Sequence, residues 1–201
     1  MNKPAPPETV FRVPFGADEC VEATDEEKVD LYNSLLAEAE IALATPLPRS
    51  TVTKGFSAAR LPSPLLSAAC FTCRGRCCYQ GLEERGFIKA PVLRRMAAKY
   101  PEASAQELAQ IYMNKLPDLH VAKQCLFQSN NGCALDREDR SQICNEYLCR
   151  HAKAIENSPR DVQHLEKPAM VVSINENEVK RAYVCRKDGC EELDTAKYHR
   201  S

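Results

Sequence analysis

The chain has 201 residues, enough for a cored domain with length to spare, and its 44% apolar and 27% charged content is ordinary for a globular protein. No run approaches the roughly 18 apolar residues of a membrane span. A net charge of −1 lies far from the basic footprint of a dedicated nucleic-acid binder. Aromatic residues are sparse, with six phenylalanines and no tryptophan, whereas cysteines number eleven.

Charge is uneven along the chain. Residues 1–45 carry ten acids against three bases, and residues 46–100 carry ten bases against two acids. The basic stretch surrounds a group of cysteines, and Arg74 and Arg76 lie inside it. Arginines placed there offset the charge of a thiolate site, which is formally −2 for four sulfurs around zinc. That accounts for the basic stretch better than nucleic-acid binding does.

Residues 1–22 read as a flexible lead: four prolines by position 14, no periodicity and a lone Cys20. Thr24-Asp-Glu-Glu27 has capping-box spacing and predicts a helix with Val29, Tyr32, Leu35, Leu36, Ala39 and Leu43 on one face. Thr45-Pro46-Leu47-Pro48 ends it, and the rest of residues 23–69 reads as an extended, proline-rich crossing. Pro91 suits the first position of a short helix through Val92, Leu93, Met96 and Tyr100. A second capping box, Ser104-Ala-Gln-Glu107, opens a helix with Leu108, Ile111, Tyr112 and Leu116, closed by Pro117. These two helices are expected to act as a scaffold between the cysteine groups. Residues 136–157 have helical spacing at Ile143, Tyr147, His151 and Ile155. Residues 158–201 predict a β-hairpin, Met170–Ile174 with Val179–Val184, ending at Cys185 and Cys190 before a polar tail.

The cysteines carry the chemistry. Cys70, Cys73, Cys77 and Cys78 form one group, and Cys125, Cys133, Cys144 and Cys149 a second, with Arg140 and Tyr147 interleaved. Clustered thiolates suit zinc or an iron–sulfur cluster rather than magnesium or calcium. The N-terminus has no apolar signal segment and the cysteine number is odd, so the expected compartment is cytoplasmic and metal binding is favoured over a disulfide framework. The two-residue gap between Cys70 and Cys73 lets a tight loop aim both sulfurs at one ion. Adjacent Cys77 and Cys78 diverge, and so serve two metals or leave one outside the shell. On an ideal helix Cys144 and Cys149 lie about 140° apart, so they share an ion only if the helix is interrupted between them. Cys185 and Cys190 are weaker candidates for a second or shared site, and Cys20 is read as a thiol outside it. His151 is read as a surface or helix-face residue rather than a ligand. His120, His164 and His199 have no grouped partners. Arg140 is either a surface charge or a donor to cluster sulfurs or a carbonyl.

In these residues the chain resembles the YkgJ-type cysteine-cluster family of zinc- or iron-chelating proteins. The family pattern opens with a CxxC…CC block, matched by Cys70, Cys73, Cys77 and Cys78. It closes with a cysteine, a Gly-Cys pair and an Arg-Pro-x-x-Cys-x-x-aromatic-x-Cys block, matched by Cys125, Gly132-Cys133, Arg140, Cys144, Tyr147 and Cys149. The likeness covers about residues 70–150, and Ser141 stands where the family has proline, a departure expected to affect loop rigidity more than ligation. It implies that the eight cysteines chelate metal. A similar cysteine domain in a flagellin lysine methylase implies a second possibility, iron–sulfur-dependent redox or methyl-transfer chemistry on a protein partner. The expected architecture is mainly α with small β (α+β): an irregular cysteine-rich centre over 70–157, flanking helices, and a C-terminal hairpin packed on the same domain. Its expected partners are a metal ion or cluster and, under the second implication, a protein, with no membrane.

Overall fold

The structure is a computed structural model that describes residues 7–17, 19–45 and 62–195. Most of the proline-rich crossing, the tail after residue 195 and His199 lie outside the described residues. In chain order the elements are strands β1 (Thr9–Pro14) and β2 (Cys20–Val21), then helices α1 (Asp25–Ala44), α2 (Pro64–Cys73), α3 (Gln80–Glu83), α4 (Ala90–Lys99) and α5 (Ala105–Met113). Three two-residue strands follow: β3 (His120–Val121), β4 (Gln128–Ser129) and β5 (Gly132–Cys133). Helices α6 (Gln142–Glu146), α7 (Arg150–Glu156) and α8 (Arg160–Gln163) precede strands β6 (Ala169–Asn175), β7 (Glu178–Arg186) and β8 (Gly189–Glu192). The class is α+β, as expected. Among the described residues no helix is long and apolar enough to cross a membrane.

These elements form two compact units. The first draws on the described parts of Met1–Gly16, Leu61–Cys77 and Leu148–Ser201, and the second on those of Ala17–Arg60 and Cys78–Tyr147. The hairpin therefore belongs with β1 and α2 and not with the whole of residues 70–157.

The first unit is built on a four-stranded sheet in the order β1-β6-β7-β8. Strands β6 and β7 are the expected hairpin, paired Val171 to Tyr183 and Ala169 to Cys185. Glu176 and Asn177 both take positive φ (48° and 69°), the twist-matched geometry of a two-residue hairpin turn. Strand β1 lies where the proline count had suggested a lead; it runs parallel to β6 with Thr9 opposite Ala169. Its Thr-Val-Phe-Arg-Val run is strand-forming, and Pro14 is tolerated because it is the last residue of an edge strand. Helix α2 corrects the extended reading of residues 64–69. Ser63 caps it by accepting from Leu66 N–H (3.2 Å), with Pro64 in the first turn. Leu65, Leu66, Ala69 and Cys73 from α2 are buried with Val13, Ala152, Ile155, Val171 and Tyr183.

In the second unit α1 packs against α4 and α5. Both predicted capping boxes form, Thr24 with Glu27 and Ser104 with Glu107. The buried side of α1 is Leu31, Leu35, Ala39 and Ala42, rotated from the predicted face; Val29 is 59% and Leu43 39% exposed. Helix α4 opens on Ala90-Pro91 and buries Val92, Leu93 and Met96, while Tyr100 caps it and stays exposed. Helix α5 ends at Met113, four residues before Pro117. Leu108, Tyr112, Phe127 and Leu135 complete this core. Each such side chain removed from water contributes about 1.5–3 kcal/mol. Cys20 lies in β2, opposite Val121 of β3, and not in a lead.

Candidate metal centre

In the first unit Cys70 and Cys73 are one turn apart at the end of α2, so the CxxC pair is presented by a helix and not by a loop. Arg74 then takes left-handed backbone (φ 54°) and Gly75 follows at φ 66°, which turns the chain sharply into the 3-10 turn Arg76–Tyr79 that carries Cys77. Gly16 abuts this turn: its N–H donates to Cys73 O (2.9 Å), and a Cβ there would stand 2.9 Å from Arg74 O. The Cys73 sulfur accepts from Arg76 N–H (3.4 Å). Cys149 is the N-cap of α7, its sulfur accepting from Ala152 N–H (3.4 Å), and it borders the same core as Cys73. Backbone N–H groups aimed at sulfur are what stabilises a thiolate in a metal shell.

Electrostatics tie these four together. Desolvation pushes the Cys70 thiol up to about 12, with the like charges of Cys77, Cys73 and Cys149 adding to it. The residue is nonetheless exposed, so an ion in solvent reaches it. Burial likewise takes Cys73 to about 11, where the Arg76 N–H pulls it down and Cys77 and Cys149 push it up. Thiols so placed stay protonated near neutral pH unless a cation offsets the crowded charge.

In the second unit the peptide of Cys125 donates to Cys78 O (3.0 Å), and Cys78 Sγ–H donates to Gln128 Oε1 (3.4 Å). Gln128 faces Cys133 across the β4–β5 pair. Cys144, near the start of α6, donates from Sγ to Gly86 O (3.7 Å). Gly81 in α3 leaves the room that Cys125 occupies: a Cβ would lie 2.8 Å from the Cys125 Cβ and 3.2 Å from its sulfur. Burial pushes the Cys125 thiol up to about 12, lowered by the Phe127 N–H and raised by Cys133 and Cys144. A cavity of about 40 Å³ beside it, lined in part by Asp30, Leu82, Arg85 and Phe127, has room for a water and not for a metabolite.

The helical spacing over residues 136–157 resolves into two helices. Tyr147 is extended (ψ 122°), and α7 restarts at Cys149, so the interruption between Cys144 and Cys149 is present. It separates them into different units: Cys144 belongs to the second and Cys149 to the first.

Several neighbours have roles that spacing does not reveal. Ser141 caps α6 by accepting from Cys144 N–H (3.2 Å), and so holds a candidate ligand in place. Arg140 donates to Leu135 O (2.9 Å) and Cys133 O (3.4 Å), the carbonyl alternative, and so pins the Cys133 loop. The Arg76 guanidinium donates to Phe15 O and that of Arg74 lies 6.0 Å from the Phe15 ring. His151 uses both ring nitrogens: Nδ1–H donates to Arg12 O (2.9 Å) and Nε2 accepts from Arg150 (3.1 Å). It therefore ties α7 to β1. Buried His120 donates from Nδ1 to Val121 O (3.1 Å), and His164 ends α8. Cys185 and Cys190 are directly opposite on β7 and β8 and joined by a disulfide, so neither is a ligand.

Among the described residues no group of three or more Cys, His, Asp and Glu side chains is placed to hold a metal ion as it stands. The donor chemistry still fits a soft metal: the groups are sulfur donors, and those of Cys73, Cys125 and Cys149 receive backbone N–H groups. Compared with protein-family models, with curated proteins and with solved structures, the chain finds no match in any of the three.

Proposed function

We propose that this chain is a metal-binding protein that holds zinc or an iron–sulfur cluster through Cys70, Cys73, Cys77, Cys78, Cys125, Cys133, Cys144 and Cys149. The observation that carries this reading is the gathering of thiols from separate stretches of chain: α2 carries Cys70 and Cys73, and α7, which Cys149 opens more than seventy residues later, packs on it. Sulfur donors gathered in this way suit a soft metal, and a bound cation would offset the charge created when neighbouring thiols give up their protons. The cysteine pattern shared with the YkgJ-type family supports the same conclusion. Bound zinc would cross-link the chain, and an iron–sulfur cluster would add one-electron chemistry. The chain's own part is to aim backbone N–H groups at sulfur, to hold Cys144 through Ser141 and to fix the Cys133 loop through Arg140. The enzymatic alternative, redox or methyl transfer on a protein partner, rests on the family likeness alone.

Anaerobic purification followed by metal analysis and a visible spectrum tests the proposal. Stoichiometric zinc without a visible band assigns a zinc protein, and a brown, air-sensitive preparation assigns an iron–sulfur protein. A folded, metal-free chain that takes up neither overturns it. Cys73→Ser should strip metal and stability far more than Cys20→Ser.

A further inference from the structure

We infer that the eight cysteines make two separate four-sulfur centres, one from Cys70, Cys73, Cys77 and Cys149 and the other from Cys78, Cys125, Cys133 and Cys144. The inference rests on the proposed metal binding and adds the partition of ligands, which the order of cysteines along the chain does not reveal. In sequence the groups are 70–78 and 125–149; in the structure each loses one member to the other. Cys77 falls in the first unit and Cys78 in the second, and so do Cys149 and Cys144 respectively.

Local geometry supports each set. Cys78, Cys125 and Cys133 are linked through the Cys125 N–H to Cys78 O bond and through Gln128, which takes the Cys78 thiol and pairs with Cys133. Cys144 bonds Gly86 O, and Gly86 lies against the Phe127 ring two residues beyond Cys125. Cys70 and Cys73 share α2, Cys77 follows one sharp turn later, and α7, which Cys149 opens, packs on α2. Adjacent residues in a 3-10 turn project about 120° apart, so Cys77 and Cys78 cannot easily close on one ion. Four sulfurs complete a tetrahedral zinc site or the shell of a single [4Fe–4S] cluster, so neither set needs an outside ligand.

The test uses the full chain, stripped of metal anaerobically and titrated with Co(II), whose tetrahedral thiolate sites absorb in the visible. The wild type should take two equivalents. The within-set variants Cys70→Ser/Cys149→Ser and Cys125→Ser/Cys144→Ser should each keep one equivalent, losing about half the absorbance. The mixed variant Cys70→Ser/Cys144→Ser should lose tight binding at both centres. Hydrogen exchange gives a second readout. Cys70→Ser/Cys149→Ser should lose protection in β6 and β7 while α1 keeps it, and Cys125→Ser/Cys144→Ser should do the reverse. If all three variants lose both equivalents, or if either within-set variant loses protection throughout, the centres are not separate and the partition is overturned. A wild type that binds one equivalent overturns the partition and leaves metal binding standing; a wild type that binds none overturns both.

Discussion

Gly81 and Gly16 set the closest approaches around the candidate ligands, and the first prediction at the residue scale follows from the missing Cβ of Gly81. A methyl group on Gly81, the one buried residue of its short helix, would collide with buried Cys125. Gly81→Ala should therefore cost about 1–3 kcal/mol, the usual range for overpacking, and reduce metal content at the second centre. Urea unfolding and metal analysis on the same sample check this. Ser141→Ala removes the cap on α6 and should cost about 1 kcal/mol while loosening Cys144. Ser141→Pro suits the backbone at this position (φ −63°) but also loses the hydroxyl, so it should weaken metal binding to a similar degree. His151→Ala should leave metal content unchanged, because both ring nitrogens are already used elsewhere. Little of this was legible in sequence. Gly81 matters through Cys125, 44 positions away, and spacing along a chain carries no information about such a contact.

At the scale of elements, helices with their own start signals were legible and those defined by packing were not. The two capping boxes and Pro91 placed three helices, because local hydrogen bonds decide where such helices begin. The buried face of α1 was not legible: its apolar residues outnumber the positions that α4 and α5 cover, and Leu31 rather than Val29 faces them. Strand β1 was missed because its pairing partner lies 160 positions later. Asp139, in the 3-10 turn Arg137–Asp139, ties the ends of two helices through Lys99 (2.9 Å) and Lys115 (3.0 Å). Its side chain is 5% exposed, so Asp139→Asn should cost about 2 kcal/mol; the partial exposure of both lysines keeps the figure low. Burial alone would raise this carboxyl, but the two lysines hold it below its ordinary 3.8. Its stabilisation is full above that value and is lost as pH falls through the depressed folded value. Acid unfolding should thus be shallower in Asp139→Asn than in the wild type, measured by urea midpoints between about pH 5 and 2. The disulfide pins β8 to β7 across a separation of five residues. Cys190→Ser should cost about 2 kcal/mol by the loop-closure relation, with exchange protection lost mainly in β8.

For the molecule as a whole, metal is expected to supply cohesion that a thin aromatic core lacks. Removing it with a chelator should lower the thermal midpoint by on the order of 10 °C, since structural metal binding contributes directly to folding free energy. A calorimetric scan before and after chelation, under anaerobic reducing conditions, checks this; an unchanged midpoint would show that the sulfurs do not hold the fold. The family-like spacing made eight candidate ligands legible as a set, and the α+β class with its hairpin was legible too. Division into units was not, because two of its four boundaries fall inside motifs that look continuous: between adjacent Cys77 and Cys78, and between Tyr147 and Leu148.

That division has a consequence for the order in which the protein is made. Every residue of the second unit has been synthesised once Tyr147 is added, whereas the first still lacks Cys149 and three strands of its sheet. At about 5–20 residues per second, the ribosome needs several more seconds to reach the end of β7 at Arg186. Cys149 follows within two residues of Tyr147, so through that interval all eight thiols have been made, and what the first unit still lacks is the rest of its sheet. The second unit is therefore complete in sequence while the first still waits for its strands, and if the proposed centres take up metal during synthesis, the second is expected to be loaded in a finished unit first.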